Sequence, residues 1–223
     1  MNASVERKPK PYKGMAMEGM IATWYAKNTL SGIAEFRDLA KRIADGLQPG
    51  ARVLEVAPGP GYLAIELARL GSYQITGLDV SQTFIRIARE NAAHARVDID
   101  FQEGDAATLP FAADQFDFIV CRAAFKNFSD PVGALRQMHR VLRPGGQAMV
   151  IDMRRDASTK SIAEEVARMP LGRLNAFLTR TILSALRRRA YSRLDFERMA
   201  QLTPFGQCLI AESPLGFEVT LIK

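Results

Sequence analysis

Between residues 52 and 153, short apolar runs alternate with stretches of helical periodicity, and this alternation restricts the fold more than any other feature of the chain. Strands are expected at residues 52–56, 74–80, 97–102, 115–121 and 147–153. Helices are expected between them, over residues 62–70, from Ser81 to about residue 93, and from Asp130-Pro131 to Leu142. Ser81 suits an N-cap, and a proline suits the first helical turn. The turn Arg143-Pro-Gly-Gly146 leads into the fifth strand. Strands separated by helices of this length make βαβ units around a parallel sheet.

The flanks break the alternation. Residues 16–30 and 33–46 read as helices, the second from the spacing of Ile33, Phe36, Leu39, Ala40 and Ile43. Residues 158–203 read as a helical insertion, with Ser192-Arg-Leu-Asp195 as a helix start within it. Residues 206–211 and 216–222 form an expected hairpin, which makes one sheet edge antiparallel. The expected fold is a Rossmann-like, doubly wound, seven-stranded mixed sheet whose last strand is antiparallel, with N-terminal helices and a helical lid. One domain is expected over residues 1–223: a flexible tail at 1–14, N-terminal helices at 15–48, a core at 50–155, a lid at 156–203 and a hairpin at 204–223.

Several classes are disfavoured. No apolar run approaches the roughly 18 residues that span a bilayer, so stable membrane insertion is not expected. The basic N-terminus has no apolar stretch behind it, unlike a secretory leader. Cys121 and Cys208 lie far apart and the chain has two histidines, so neither a disulfide nor a metal site is expected, and the reading is cytoplasmic. The net charge of +6 is concentrated: residues 153–198 carry eleven positive and five negative charges. Such a surface serves nucleic acid, an anionic membrane, or nothing beyond a solvated helix face.

The stretch Glu55-Val-Ala-Pro-Gly-Pro-Gly61 falls between the first strand and its helix, where doubly wound sheets bind nucleotide-like ligands. Gly59 and Gly61 admit a ligand without Cβ clashes, and Pro58 and Pro60 fix the turn. The order Ala57-Pro-Gly-Pro-Gly61-Tyr-Leu-Ala departs from the dinucleotide fingerprint, which argues against a nicotinamide enzyme. Glu55 suits a cationic ligand better than a pyrophosphate. S-Adenosylmethionine carries an ammonium and a sulfonium and no phosphate.

Four ordered motifs resemble the class I S-adenosylmethionine-dependent methyltransferases, in particular the small-molecule branch of ubiquinone and menaquinone biosynthesis. They are VLEVAPGPG, Leu78-Asp79-Val80-Ser81, Glu103-Gly-Asp105-Ala106 with Leu109-Pro-Phe111, and FDFIVC with Arg140-Val-Leu-Arg-Pro-Gly-Gly146. The resemblance is strong over about residues 50–155 and weak at the ends. It implies S-adenosyl-L-methionine as cofactor and S-adenosyl-L-homocysteine as product. Glu55 would hold the methionyl ammonium, and Gly59 and Gly61 would let the cofactor lie on the loop. Asp79, next to Val80, would accept the ribose hydroxyls. Asp105 and the Ala106 amide would take the adenine, and Arg122 would offer its backbone carbonyl to the ammonium. Ala57 stands where the family has its first glycine. Methyl transfer from a sulfonium is an in-line displacement that needs mainly positioning.

The resemblance also places a small-molecule acceptor near Phe125, Lys126 and Asn127. Lys126 would orient an anionic acceptor and Asn127 would hydrogen-bond it. No histidine stands there to act as base, and His94 and His139 read as surface and structural residues. Tyr12 and Lys13 would close the site from the N-terminal segment, and Trp24 and Tyr25 would line the acceptor pocket. Lys126, Asn127 and Tyr12 are the catalytic candidates. Leu171, Leu174, Phe177, Leu178, Ile182 and Leu186 follow helical spacing among arginines. That helix reads first as an acceptor lid contributing Phe177, second as a subunit contact in a homodimer, and third as a membrane contact. A non-methylating protein of this fold, such as a cyclase or binding protein that keeps the cofactor as a structural element, is the competing reading. A nucleic-acid methyltransferase is disfavoured, because the basic tail lacks interleaved aromatics and no Asn-Pro-Pro-aromatic site follows the fourth strand.

Overall fold

The computed structural model describes residues 12–13, 17–168 and 172–223. The expected flexible tail lies largely outside them, as does Leu171. β1 (Arg52–Val56), β2 (Gln74–Asp79), β3 (Asp100–Glu103), β4 (Phe116–Arg122), β5 (Leu142–Met153), β6 (Leu209–Glu212) and β7 (Gly216–Ile222) form one sheet in the order β3-β2-β1-β4-β5-β7-β6. β1 to β5 run parallel, and β7 runs antiparallel to both β5 and β6. This is the expected seven-stranded mixed sheet.

The helices are α1 (Gly19–Thr29), α2 (Ile33–Ala44), α3 (Tyr62–Ala68), α4 (Gln82–Ala95), α5 (Pro131–Val141), α6 (Thr159–Arg168), α7 (Arg173–Arg187) and α8 (Arg193–Gln201). Their starts follow local chemistry. The Ser81 hydroxyl accepts from the Phe84 amide at α4, and the Asp130 carboxylate accepts from the Gly133 amide at α5. Ser192 and Asp195 form a reciprocal capping box at α8.

β1 alternates its side chains between two cores. Leu54 and Val56 pack with Ile119, Cys121, Phe125 and Phe196 on one face. Val53 packs with Phe36, Tyr62, Phe118 and Val120 on the other. Burial on both faces is what parallel strands covered by helices require.

Several boundaries shift from the sequence reading. The third strand starts at Asp100 rather than residue 97, because Arg96 turns left-handed (φ 58°) and the Val97 amide donates to the Ala92 carbonyl, closing α4. The turn at residues 143–146 is absorbed into β5 as a bulge. Phe116 pairs with Leu142 and Phe118 with Gln147, so the extra residues loop out of register. The first helix starts at Gly19 rather than residue 16, and β6 starts at Leu209, after the left-handed Gly206.

Candidate ligand-binding site

The loop after β1 turns sharply at the carboxyl edge of the sheet. Ala57, Gly59 and Gly61 all have left-handed φ, at 57°, 54° and 79°. The two glycines serve different purposes. A Cβ on Gly59 would meet nothing within 4 Å, so that backbone faces open space. A Cβ on Gly61 would come 2.8 Å from the Phe101 ring and 3.0 Å from Ala88, so that glycine faces the core. Gly61→Ala is therefore expected to lower stability by about 1–3 kcal/mol through overpacking, read by urea unfolding. A loss indistinguishable from zero would contradict the packing assignment.

Ala57 carries a left-handed strain of about 1–2 kcal/mol that glycine would not. The Ala57 amide is held by the Leu78 carbonyl at 2.8 Å. Ala57→Gly is expected to leave stability unchanged or raise it by up to about 1 kcal/mol, because glycine also loosens the unfolded chain. A clear loss would show that the alanine methyl packs usefully.

Three acids surround this loop. Glu55 is 4 % exposed, and its carboxyl accepts from the Ala64 amide at 2.9 Å, serving a first-turn donor of α3 that the Gly61 N-cap cannot serve. Burial pushes Glu55 up to about 8. Asp79, at the end of β2, accepts from the Gly59 amide at 3.1 Å and the Ser81 amide at 2.9 Å, and burial pushes it up to about 6. Asp105 accepts from the Ala107 amide at 2.9 Å and caps a short 3-10 turn beginning at Ala106.

These groups open onto a cavity of about 640 Å³ at the carboxyl ends of β1, β2 and β4. That is within the usual range for small-molecule sites. Glu55, Ala57, Gly59, Asp79, Val80 and Asp105 line one side, with Ala106 beside them. Tyr12, Lys13, Trp24, Tyr25, Arg122 and Asn127 also line it. Arg122 turns its guanidinium to Glu35 at 2.8 Å and over the Phe36 ring at 4.3 Å.

Four of the expected site residues sit differently. Gly61 packs against the core, as above. Phe125 is fully buried, with its ring 5.0 Å from Phe196 and 5.3 Å from Phe128. Phe177 is 61 % exposed, on the outer side of α7. Lys126 does reach the cavity wall, but its ammonium is paired with Asp152 at 2.8 Å and also donates to the Ala123 carbonyl. The side chains are 6 % and 2 % exposed, so this cation holds its own loop rather than an anionic acceptor.

The sequence reading missed two features. On α7, Thr179 and Leu183 line the cavity beside the expected Ile182 and Leu186, whereas the expected Phe177 does not. A finer reading of the helical period would have separated these faces. The second feature is the set of partners that latch the N-terminal segment, from which Tyr12 and Lys13 were expected to close the site. Tyr12 bridges to Phe128, the Lys13 amide donates to the Asn127 carbonyl, and Lys13 Nζ donates to the Tyr191 hydroxyl at 2.6 Å. Further on, the Ser81 hydroxyl donates to the Met17 carbonyl, and Glu18 accepts from the Thr83 amide and hydroxyl. Burial pushes Glu18 up, but the hydrogen bonds from Thr83 and Ser81 outweigh it and hold the carboxyl below its usual range.

Residues 54–150 match the model of a methyltransferase domain. A demethylmenaquinone methyltransferase of Deinococcus radiodurans is 40 % identical over 108 residues, covering 48 % of this chain and 45 % of the relative. A 2-phytyl-1,4-naphtoquinone methyltransferase of Synechococcus elongatus is 42 % identical over 128 residues, covering 54 % of each chain. The chain thus spans about half the length of these curated relatives. The solved structure of a candidate S-adenosyl-L-methionine-dependent methyltransferase from Methanococcus maripaludis has the same fold, with a TM-score of 0.71, 22 % identity, and coverage of 99 % of this chain and 97 % of that one.

Proposed function

We propose that the chain, whose residues 54–150 match a methyltransferase domain, is a class I enzyme that transfers a methyl group from S-adenosyl-L-methionine to a small organic acceptor. The carrying observation is the cavity at the carboxyl edge, where Glu55, Asp79 and Asp105 surround a left-handed loop that leaves open space above Gly59. The donor set fits the cofactor: a buried carboxyl for a cation, a carboxylate with free lone pairs for hydroxyls, and an acid with a neighbouring amide for an adenine edge.

Bound S-adenosylmethionine would supply a methyl carbon activated by its sulfonium. The chain's part is then positioning. Glu55 and the Arg122 carbonyl hold the ammonium, Asp79 holds the ribose, and Asp105 and Ala106 hold the adenine. Ala57, Gly59 and Val80 form the surface beneath, and Tyr12 and Lys13 lie across the mouth. Trp24, Tyr25 and Asn127 face the acceptor, and α7 excludes water from above. The relatives' names make naphthoquinols the first acceptors to screen.

Calorimetric titration with S-adenosyl-L-homocysteine tests the cofactor site, and clear one-to-one binding is expected. No binding by folded protein would overturn the reading. Binding without methylation of any phenol, quinol or amine would favour a protein that keeps the cofactor as a structural element.

Glu55 also gives this site a pH signature. In the empty protein its carboxyl is protonated below about 8, whereas a bound cation needs the carboxylate. Binding below that pH must release the Glu55 proton. Affinity for the homocysteine product is therefore expected to rise from about pH 6 to pH 8, approaching tenfold per unit, and then to level off. Titrations in buffers of different ionisation enthalpy read the released proton. A flat profile with no proton release would remove Glu55 from this role.

A further inference from the structure

The mouth of the cavity has an apolar rim. Trp24 and Ile182 line the cavity, yet they are 62 % and 51 % exposed. On the outer face of α7, Phe177 is 61 % and Leu178 48 % exposed. Ordinary surfaces scatter such residues singly, whereas contiguous ones mark a contact. The charge on α7 and its flanks is of one sign: residues 172–192 contain five arginines and no aspartate or glutamate. Arg180, Arg188 and Arg189 are exposed on or beside this face.

We propose that the outer face of α7, with Trp24 across the mouth, docks on an anionic phospholipid surface and points the cavity opening at the bilayer. The helix has 15 residues and would lie in the interface with its apolar side chains among the acyl chains. The arginines would meet lipid phosphates. A second copy is the poorer occupant, because two-fold pairing through α7 would set arginine against arginine. Among the described residues no helix is long and apolar enough to cross a membrane, so the contact is peripheral.

Trp24 is the only tryptophan, so its fluorescence reports on the rim directly. The probes are vesicles of phosphatidylcholine with and without phosphatidylglycerol. With the anionic vesicles, the protein should float with the lipid, Trp24 emission should move to the blue, and acyl-brominated lipid should quench it. Neutral vesicles or high salt should abolish these changes. Arg180→Glu and Arg188→Glu should each weaken binding at least about fivefold, and Leu178→Asp should abolish it, while their melting temperatures stay near that of the parent. Equal binding to neutral vesicles would overturn the role of the arginines. Absence of binding would overturn the proposal, and a dimer in sedimentation that Leu178→Asp dissociates would assign the face to a second copy instead. Vesicle binding requires no cofactor, so either result leaves the methyl-transfer reading to its own titration.

Discussion

A Lys126→Met variant is expected to lose about 3–5 kcal/mol of unfolding free energy, the usual consequence of stranding one buried charge. Asp152 lies on β5 inside the sheet edge, and Lys126 supplies its cationic partner at 2.8 Å. Asp152 also accepts from the Lys126 amide at 2.9 Å and the Met153 amide at 2.7 Å. Without the ammonium, the carboxylate keeps those amides but has no counter-charge in the interior. Adding Asp152→Asn to the variant should restore most of the loss, because the amide oxygen still accepts while the charge is gone. Denaturant unfolding of the two single variants and the double variant closes the cycle. A single-variant loss below about 1 kcal/mol would show that the pair is solvated after all.

The second large effect concerns the site. Asp79→Ala is expected to weaken S-adenosyl-L-homocysteine binding by at least about 100-fold. A carboxylate offers roughly four lone-pair sites. The Gly59 and Ser81 amides occupy two of them, which leaves two for the ribose hydroxyls. Hydrogen bonds to a charged group contribute about 1.5–3 kcal/mol each, and the substitution also releases the loop at Gly59. Asp79→Asn, which accepts at one oxygen only, should fall between the parent and the alanine variant. Unchanged affinity in a folded Asp79→Ala protein would contradict the ribose role.

Much of the fold was legible because its elements announce themselves locally. Ser81, Asp130-Pro131 and Ser192-Asp195 are chemical starts of helices, and β1 is a short apolar run whose two faces fill separate cores. β3 was placed early because nothing in Val97 to Ile99 shows that Arg96 turns left-handed and draws the next amide back to α4. For the loop residues, sequence gave the conformational need but not its direction. Gly59 and Gly61 look alike until Phe101, forty residues on, fills the space beside one of them. Lys126 reads as an available cation because its partner Asp152 comes from a distant strand. Phe125 and Phe177 read as pocket residues because their apolar character does not say which side of a turn or helix meets the core. Glu18 was invisible for the same reason, since its partner Thr83 is brought to it by the packing of α1 on α4.

The two latches on the N-terminal segment set a timescale. One joins Tyr12 and Lys13 to Phe128, Asn127 and Tyr191, and the other joins Met17 to Gly19 with Ser81 and Thr83. Neither shares a strand with the sheet, and each rests on a few hydrogen bonds of about 1 kcal/mol net. The mouth can therefore open more often than the whole chain unfolds. Escape of the demethylated product would follow that opening, so the pace of turnover would be set by how fast the segment lets go rather than by the displacement at carbon.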